Sequence, residues 1–352
     1  MQAIQNKAPF WVFAYLIILA FGLCSVANAR TSTPQSTHSA KKASTAKHKK
    51  AAARKGVQKS KIVTRRSLRS SGKPSKIQVG LRERQLDDII MHRPKSGLDN
   101  SSAQLRSEAA FVLDLKTSTI LYDKNSDEVR PIASISKLMT ALIVTESGLS
   151  MSDPITISED DVDHLRHSRS RLAVGTRLSR AEMLHLALMS SENRAAHALA
   201  RYYPGGMPAF VRAMNDKARS LGMRHTHFIE PTGLSSENVS TARDLVKLLR
   251  AASKQALIHR YTTDDTEQIT LNNGRQLTYN NSNQLVKNPG WDIKISKTGF
   301  INEAGECLVM VTRIDGRDVA MVLLNSTGRY SRIGDAVRMR AYVERGTTLA
   351  ML

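Results

Sequence analysis

Ser134-Ile135-Ser136-Lys137-Leu138-Met139-Thr140-Ala141-Leu142-Ile143-Val144 is the stretch on which the reading of the fold turns. Ile135, Leu138, Met139, Leu142 and Ile143 recur at i, i+3, i+4, i+7 and i+8, the spacing of one apolar helix face. Ser134 and Lys137 fall on the remaining edge. They are separated by roughly 60° around the axis and about one turn along it, so a hydroxyl and an amine can meet. Pro131 disfavours helix before it, which places Ser134 in the first turn, where free backbone N–H groups and the positive dipole end favour an anion. The pattern is that of a nucleophile beside its base. The spacing alone is weak, because Ser39 with Lys42, Ser44 with Lys47 and Ser70 with Lys73 repeat it, although in a lysine-rich segment with no apolar face.

That segment belongs to the first third of the chain. The whole sequence has 352 residues, a net charge of +21 and only two cysteines. Lys7 precedes an apolar run from Phe10 to Leu23, too short for a comfortable membrane span, and Ala27-Asn28-Ala29 has the small-residue pattern of a cleavage site. Residues 1–29 are therefore expected to be an export signal. Its removal would take Cys24 with it and leave Cys307 alone among apolar neighbours, so no intramolecular disulfide is expected. Residues 30–100 are expected to be a basic, disordered tail and linker: Arg30 to Arg84 carries seventeen basic residues and one acid, Glu83. Two readings of it stand side by side, a tether to anionic envelope polymer or membrane surface and a solvated spacer. Such a composition would also bind phosphate backbones, but an exported chain does not meet nucleic acid.

Residues 101–352 are expected to fold. Ala109 to Leu115 and Ile120 to Asp123 suggest a hairpin across Lys116-Thr117-Ser118-Thr119. A helical pattern runs from Ser150 to Ala256, with a capping box at Ser179-Arg180-Ala181-Glu182 and helices over Asn193 to Tyr202, Met207 to Leu221 and Ala242 to Ala252, the last capped by Ser240 or Thr241. Strands return over Trp291 to Ser296, Cys307 to Ile314 and Val319 to Asn325, with Asp315-Gly316 as a turn, and a helix from Ser331 to Glu344 follows. The expected class is α/β in the α+β sense: one antiparallel sheet completed by both chain ends, flanked by helices and carrying a helical insert.

Two further motifs join the first. Ser191-Glu192-Asn193 lies where one amphipathic helix ends and another begins, a junction that aims side chains into a cleft; its repeat, Ser236-Glu237-Asn238, lacks such a frame. Lys297-Thr298-Gly299 occurs once, at the end of an expected strand, where Lys297 and Thr298 can project from a sheet edge and Gly299 allows close backbone approach by a ligand. The order S-x-x-K, S-x-N, K-T-G resembles the active-site signature of penicillin-binding proteins and serine β-lactamases. The wording Pro131-Ile132-Ala133-Ser134, Ser190-Ser191-Glu192-Asn193-Arg194-Ala195-Ala196, Glu230-Pro231-Thr232-Gly233-Leu234 and Lys297-Thr298-Gly299-Phe300 is similar to the low-molecular-mass DD-peptidases, and within them to the D-alanyl-D-alanine endopeptidases of the type-seven penicillin-binding proteins.

The resemblance implies a fold and a set of roles. Ser134 would attack the carbonyl of a D-alanyl bond, and Lys137 would be the general base, kept partly neutral by burial and by the cation Lys297. Ser191 would relay the proton to the leaving amine and Asn193 would hold the substrate's backbone amide. Lys297 and Thr298 would bind a carboxylate, and backbone N–H groups of Ser134 and Phe300 would hold the oxyanion. Phe300 stands where many relatives have histidine. The implied partners are peptidoglycan stem peptides and β-lactam antibiotics, the implied location is periplasmic, and no cofactor or metal is implied.

Competing readings remain at this point. A β-lactamase carries the same three motifs and, in class A, a deacylating glutamate; Glu230 follows Asn193 at a suggestive distance but heads the wording of the peptidases. His225-Thr226-His227 offers two imidazoles but no third ligand at a recognisable spacing for a metallopeptidase. A cationic envelope-binding protein without turnover is the non-enzyme alternative. Between carboxypeptidase and endopeptidase, roughly fifty residues after Gly299 leave room for two strands and a helix but not for a further β domain and membrane helix. That favours the endopeptidase.

Overall fold

A computed structural model of the protein describes residues 104–328 and 330–351. The expected export signal and basic tail lie outside these residues. β1 (Ser107–Asp114) and β2 (Ile120–Lys124) form the hairpin anticipated at the start. A two-residue β3 (Arg130–Pro131) leads into a 3-10 turn, Ala133–Ile135, and then helix α1 (Ser136–Glu146). β4 (Pro154–Thr156) and β5 (Arg177–Ser179) pair across loop 158–176. Helices α2 (Arg180–Met189), α3 (Asn193–Arg201) and α4 (Gly206–Ser220) follow. Next come β6 (Val239–Ser240), α5 (Ala242–Ala252), α6 (Ala256–Thr263) and the hairpin β7 (Thr266–Thr270) and β8 (Gln276–Asn280). The described chain ends with β9 (Asp292–Ile301), β10 (Gly305–Ile314), β11 (Arg317–Ser326) and α7 (Ser331–Met351).

Strands from the two ends of this region make one antiparallel sheet in the order β2-β1-β11-β10-β9. Both faces are buried. Phe111, Leu113, Val309, Val311 and Val322 face the helices, while Val112, Leu308, Met310, Met321 and Leu323 pack with Ala336, Met339, Tyr342 and Val343 of α7. The strands therefore read as continuous apolar runs, as doubly covered strands do.

The structure differs from the sequence reading in three places. Loop 158–176 is non-helical apart from a 3-10 turn, Glu159–Asp161, because Asp161 and Asp163 turn their carboxylates onto its backbone: Asp161 accepts from Ser158 N at 2.8 Å, and Asp163 accepts from the N–H groups of Leu165, Arg166 and Ser168 at 2.9, 3.0 and 2.8 Å. Asp161 also ties the loop to α3, taking His197 Nδ1 at 2.8 Å and Arg201 at 2.7 Å. The hairpin β7–β8 was unforeseen, since Ile269 is the sole buried residue of its first strand and Leu277 and Tyr279 of its second. Helix α1, expected to present one apolar face, is buried on every side from Ser136 to Val144. It is the core element against which α2 to α6 are arranged, and its lysine is buried with it.

The caps behave as the sequence requires. Ser179 accepts from Glu182 N at 3.2 Å while the Glu182 carboxylate takes Ser179 N at 2.7 Å, and Thr241 caps α5. Trp291 is half-buried against the cluster that includes the α7 face, with the Arg340 guanidinium 5.1 Å from its ring centre. Cys307 is wholly buried in the core, and burial pushes its thiol up to about 11.

The start of β1 is locked to α7 by Asp335, which is fully buried and accepts from Arg106 N at 3.0 Å, Ser107 N at 2.6 Å and Ser107 Oγ at 2.5 Å. Burial alone would raise its pKa; the hydrogen bond from the Ser107 hydroxyl and those from the two amides hold it below the usual carboxylate range. Asp335→Asn should cost about 2 kcal/mol at neutral pH, the worth of hydrogen bonds to a charged group, and urea unfolding of the two proteins measures the difference.

Candidate active site

Ser134 sits in the 3-10 turn just ahead of α1 rather than in its first α-helical turn. The turn still brings the expected pair together: Lys137 Nζ lies 2.9 Å from Ser134 Oγ. The amine also donates to Asn193 Oδ1 at 2.7 Å and to the carbonyl of Thr232 at 2.7 Å. As an ammonium it donates to all three groups. As a neutral amine it keeps two donors for the two carbonyl oxygens, and its lone pair is left facing the serine hydroxyl. Lys137 is fully buried, and this burial lowers its pKa to about 8 against the raising effect of Glu230 and Glu192. The sequence leads one to expect the cation Lys297 as a further cause of this lowering. Lys297 is also fully buried and is held well below the usual lysine range, first by burial and then by the charges of Lys137 and Arg332, so the two buried cations disfavour each other's charge.

The Glu230-Pro231-Thr232-Gly233-Leu234 segment forms the floor beneath the nucleophile. The Glu230 carboxylate is turned onto its own segment, taking Thr232 N and Gly233 N at 2.6 Å each, Thr232 Oγ1 at 2.5 Å and Asn238 Nδ2 at 3.0 Å. Asn238, in the repeat triplet that the sequence set aside, is fully buried and also bonds Ser136 Oγ at 3.0 Å. Thr140 Oγ1 donates to Pro231 O at 2.7 Å, so α1 and this segment are held face to face. Gly233 (φ +81°) is required by the contact: a Cβ there would stand 1.9 Å from the Ala133 carbonyl oxygen. Ala133 itself has φ +48° and Ser191 has φ +63°, left-handed backbone at non-glycine residues, of the kind held in place only by surrounding packing.

Ser191 lies between α2 and α3, and Asn193 opens α3. Asn193 Nδ2 donates to Ser168 Oγ at 3.0 Å, a link between the motif and loop 158–176 that no local pattern disclosed. Lys297-Thr298-Gly299 lies within β9, not at its end, because the strand runs on to Ile301 and stays paired with β10. Thr298 Oγ1 donates to Ser282 Oγ at 2.7 Å, and Lys297 Nζ, fully buried, donates to the Thr298 carbonyl at 2.9 Å. A Cβ on Gly299 would lie 3.0 Å from Ser134 N, so the strand passes directly against the nucleophile turn. Phe300 is 56% exposed.

These groups border an open cleft of about 570 Å³ to which Ser134, Ser191, Asn193, Thr298, Gly299 and Phe300 all contribute. Arg332 of α7 lines it too, its guanidinium bonded to the Gly299 carbonyl at 2.9 Å and to Glu306 at 2.8 Å. Arg332 escaped sequence reasoning because it belongs to no motif and reaches the site only through the fold. Among the described residues no cluster of three or more His, Cys, Asp or Glu is placed to hold a metal. The arrangement is one for acyl transfer: a hydroxyl, an adjacent amine of lowered pKa, and a cationic, polar wall for an anionic substrate group.

Such a site on such a fold defines a serine hydrolase of the penicillin-recognising class. The chain belongs to the S11 peptidase family, whose model, described as D-alanyl-D-alanine carboxypeptidase, matches residues 97–328. It is 46% identical over 259 residues to the D-alanyl-D-alanine endopeptidase of Pseudomonas aeruginosa, covering 73% of this chain and 83% of the relative. It is 45% identical over 250 residues to the D-alanyl-D-alanine endopeptidase of Escherichia coli, covering 71% and 81%. Among solved structures, the Streptomyces K15 DD-transpeptidase superposes with a TM-score of 0.64 at 28% identity, over 68% of this chain and 97% of that one. Penicillin-binding protein D2 of Listeria monocytogenes, in its ampicillin-bound form, superposes with a TM-score of 0.58 at 28% identity, over 68% and 97%. The antiparallel sheet completed from both ends, with its helical insert, is the fold anticipated from the sequence.

Gly233→Ala should cost about 1–3 kcal/mol through overpacking and displace the Ala133–Ser134 peptide. Thermal unfolding and a crystal structure of the variant check both; a native-like stability with an unmoved turn would contradict the contact.

Proposed function

We propose that the protein is a serine DD-endopeptidase that cleaves D-alanyl cross-links in peptidoglycan. The observation that carries the reading is the 2.9 Å contact of Ser134 Oγ with a buried lysine whose pKa is lowered to about 8. Ser134 Oγ attacks the D-alanyl carbonyl as its proton passes to neutral Lys137. Backbone N–H groups of Ser134 and Phe300 hold the oxyanion. The C–N bond then breaks, Ser191 relaying a proton to the departing amine, and water releases the acyl group from Ser134 by the reverse proton path. Asn193 turns from Lys137 toward the substrate's amide. Lys297, Thr298 and Arg332 meet a substrate carboxylate; the arriving negative charge restores the ammonium form that burial disfavours in Lys297.

Glu230 supports the peptidase over the β-lactamase reading, since its oxygens are committed to the backbone of its own segment. We further infer a division into export signal (1–29), basic tail (30–100) and catalytic domain (101–352), with the tail as a contact to anionic envelope polymer. β-Lactams are inferred as covalent ligands of Ser134. Among the described residues no helix is long and apolar enough to cross a membrane.

The test is digestion of dimeric, cross-linked muropeptides. The protein should convert dimers to monomers while releasing little D-alanine from pentapeptide monomers, and Ser134→Ala should lower dimer cleavage by at least about 10³-fold. Rapid D-alanine release with dimers left whole would make it a carboxypeptidase.

A further inference from the structure

The hairpin β7–β8 presents a face to solvent that the reaction above does not use. Alternation along its strands buries Ile269, Leu277 and Tyr279 and leaves Thr266, Gln268, Thr270, Gln276, Thr278 and Asn280 exposed on the other side. The register sets Thr266 opposite Asn280, Gln268 opposite Thr278 and Thr270 opposite Gln276, so the six form adjacent rungs of one face. An ordinary solvated face carries charges of both signs. This one carries hydroxyls and carboxamides alone, each able to donate and to accept hydrogen bonds. Two cations border it: Arg171 donates to the Thr278 carbonyl at 2.7 Å and Lys287 to Asn280 Oδ1 at 3.2 Å. The face is joined to the cleft through β8. Just past the end of that strand, Ser282 Oγ accepts from Thr298 Oγ1 at 2.7 Å. At the rise of an extended chain, Thr278 lies within about 14 Å of Ser282.

We propose that this face is an exosite for a neutral, N-acetylated polysaccharide, the glycan strand from which the stem peptides branch. The inference rests on the peptidase reading, because the glycan is the part of that substrate that lies outside the cleft. A chain of N-acetylated sugars offers ring hydroxyls and acetamido groups in a repeating, uncharged row, the complement of the rungs of hydroxyl and carboxamide. A tetrapeptide stem spans at most about 14 Å, so a glycan held on the hairpin keeps its stem within reach of Ser134. Arg171 and Lys287 flank the path of the stem and take its free carboxylates. Each polar contact replaces one with water and is weak singly, so affinity comes from the row as a whole. Holding the polymer at a second point raises the effective concentration of its stems at the cleft.

The experiment uses the full chain at about 0.3 M salt, where the attraction of basic segments for anions is screened. Two substrates carry the same cross-linked peptides, one on glycan chains of several disaccharides and one freed of all sugar. The wild-type protein should cleave the glycan-bearing substrate with about tenfold higher kcat/KM, the gain lying in KM. The triple variant Gln268→Ala, Gln276→Ala, Thr278→Ala should lose that preference and cleave the sugar-free dimers as fast as wild type. A loss on both substrates together, a preference that survives the substitutions, or a wild type that does not discriminate overturns the exosite. Calorimetric titration with peptide-free glycan chains reads binding directly, and the wild type should bind at least about tenfold more tightly than the triple variant. Equal binding overturns the proposal. Because the titration involves no cleavage, the tenfold difference with dimers left whole would support the exosite and sink the endopeptidase reading alone.

Discussion

A lysine amine buried at the centre of the fold is the constraint to which the rest answers. Taking an ammonium out of water is costly, and the chain meets the cost in two ways. It supplies two carbonyl oxygens, from Asn193 and Thr232, at 2.7 Å each, and it lets the charge go: a pKa of about 8 leaves about a tenth of the amine neutral at pH 7. Glu230 and Glu192 oppose the loss of charge and keep it from going further. The outcome is a base whose proton affinity suits neutral conditions, set chiefly by where α1 lies in the fold.

Keeping that amine beside a serine demands rigidity on several sides. The Glu230 segment is folded onto itself by one carboxylate, clipped to α1 by Thr140 and Asn238, and packed against Ala133 so closely that position 233 tolerates no Cβ. On the opposite side β9 passes the nucleophile turn with Gly299. Loop 158–176 is held to α3 by Asp161, whose carboxyl burial alone would raise; hydrogen bonds from His197 and Arg201 instead hold it down at about 2. The loop thus presents Ser168 to Asn193 and Arg166 to the cleft from a fixed base. Three segments distant in sequence therefore fix one geometry.

What the sequence disclosed follows from how local each signal is. Ser134 and Lys137 meet through three residues of one helical turn, so their spacing suffices. The sheet was legible because its strands, buried on both faces, are long apolar runs. The end of β9 was not, since Lys297-Thr298-Gly299 lacks apolar character and is extended by pairing with β10. The β7–β8 hairpin shows the same limit: Asn273-Gly274 marks its turn, but too few buried residues mark its strands. Loop 158–176 takes its shape from aspartates that accept from its own nearby backbone, a polar signal that hydrophobic periodicity does not register, and from the ion pair of Asp161 with Arg201 of α3, a partner far along the chain. Arg166 and Arg332 enter the cleft for the same reason, by assembly and without a motif.

A lowered lysine pKa next to a serine has one direct consequence, a serine whose reactivity follows the titration of that lysine. The measurement is the rate at which penicillin acylates the protein from about pH 6 to about pH 10, with the adduct located by mass spectrometry. The account requires a single adduct on the peptide carrying Ser134, a rate that rises nearly tenfold per pH unit below an inflection near 8 and levels above it, and no acylation in Lys137→Ala. An adduct on another residue, or a rate that stays flat or falls across that interval, would contradict it.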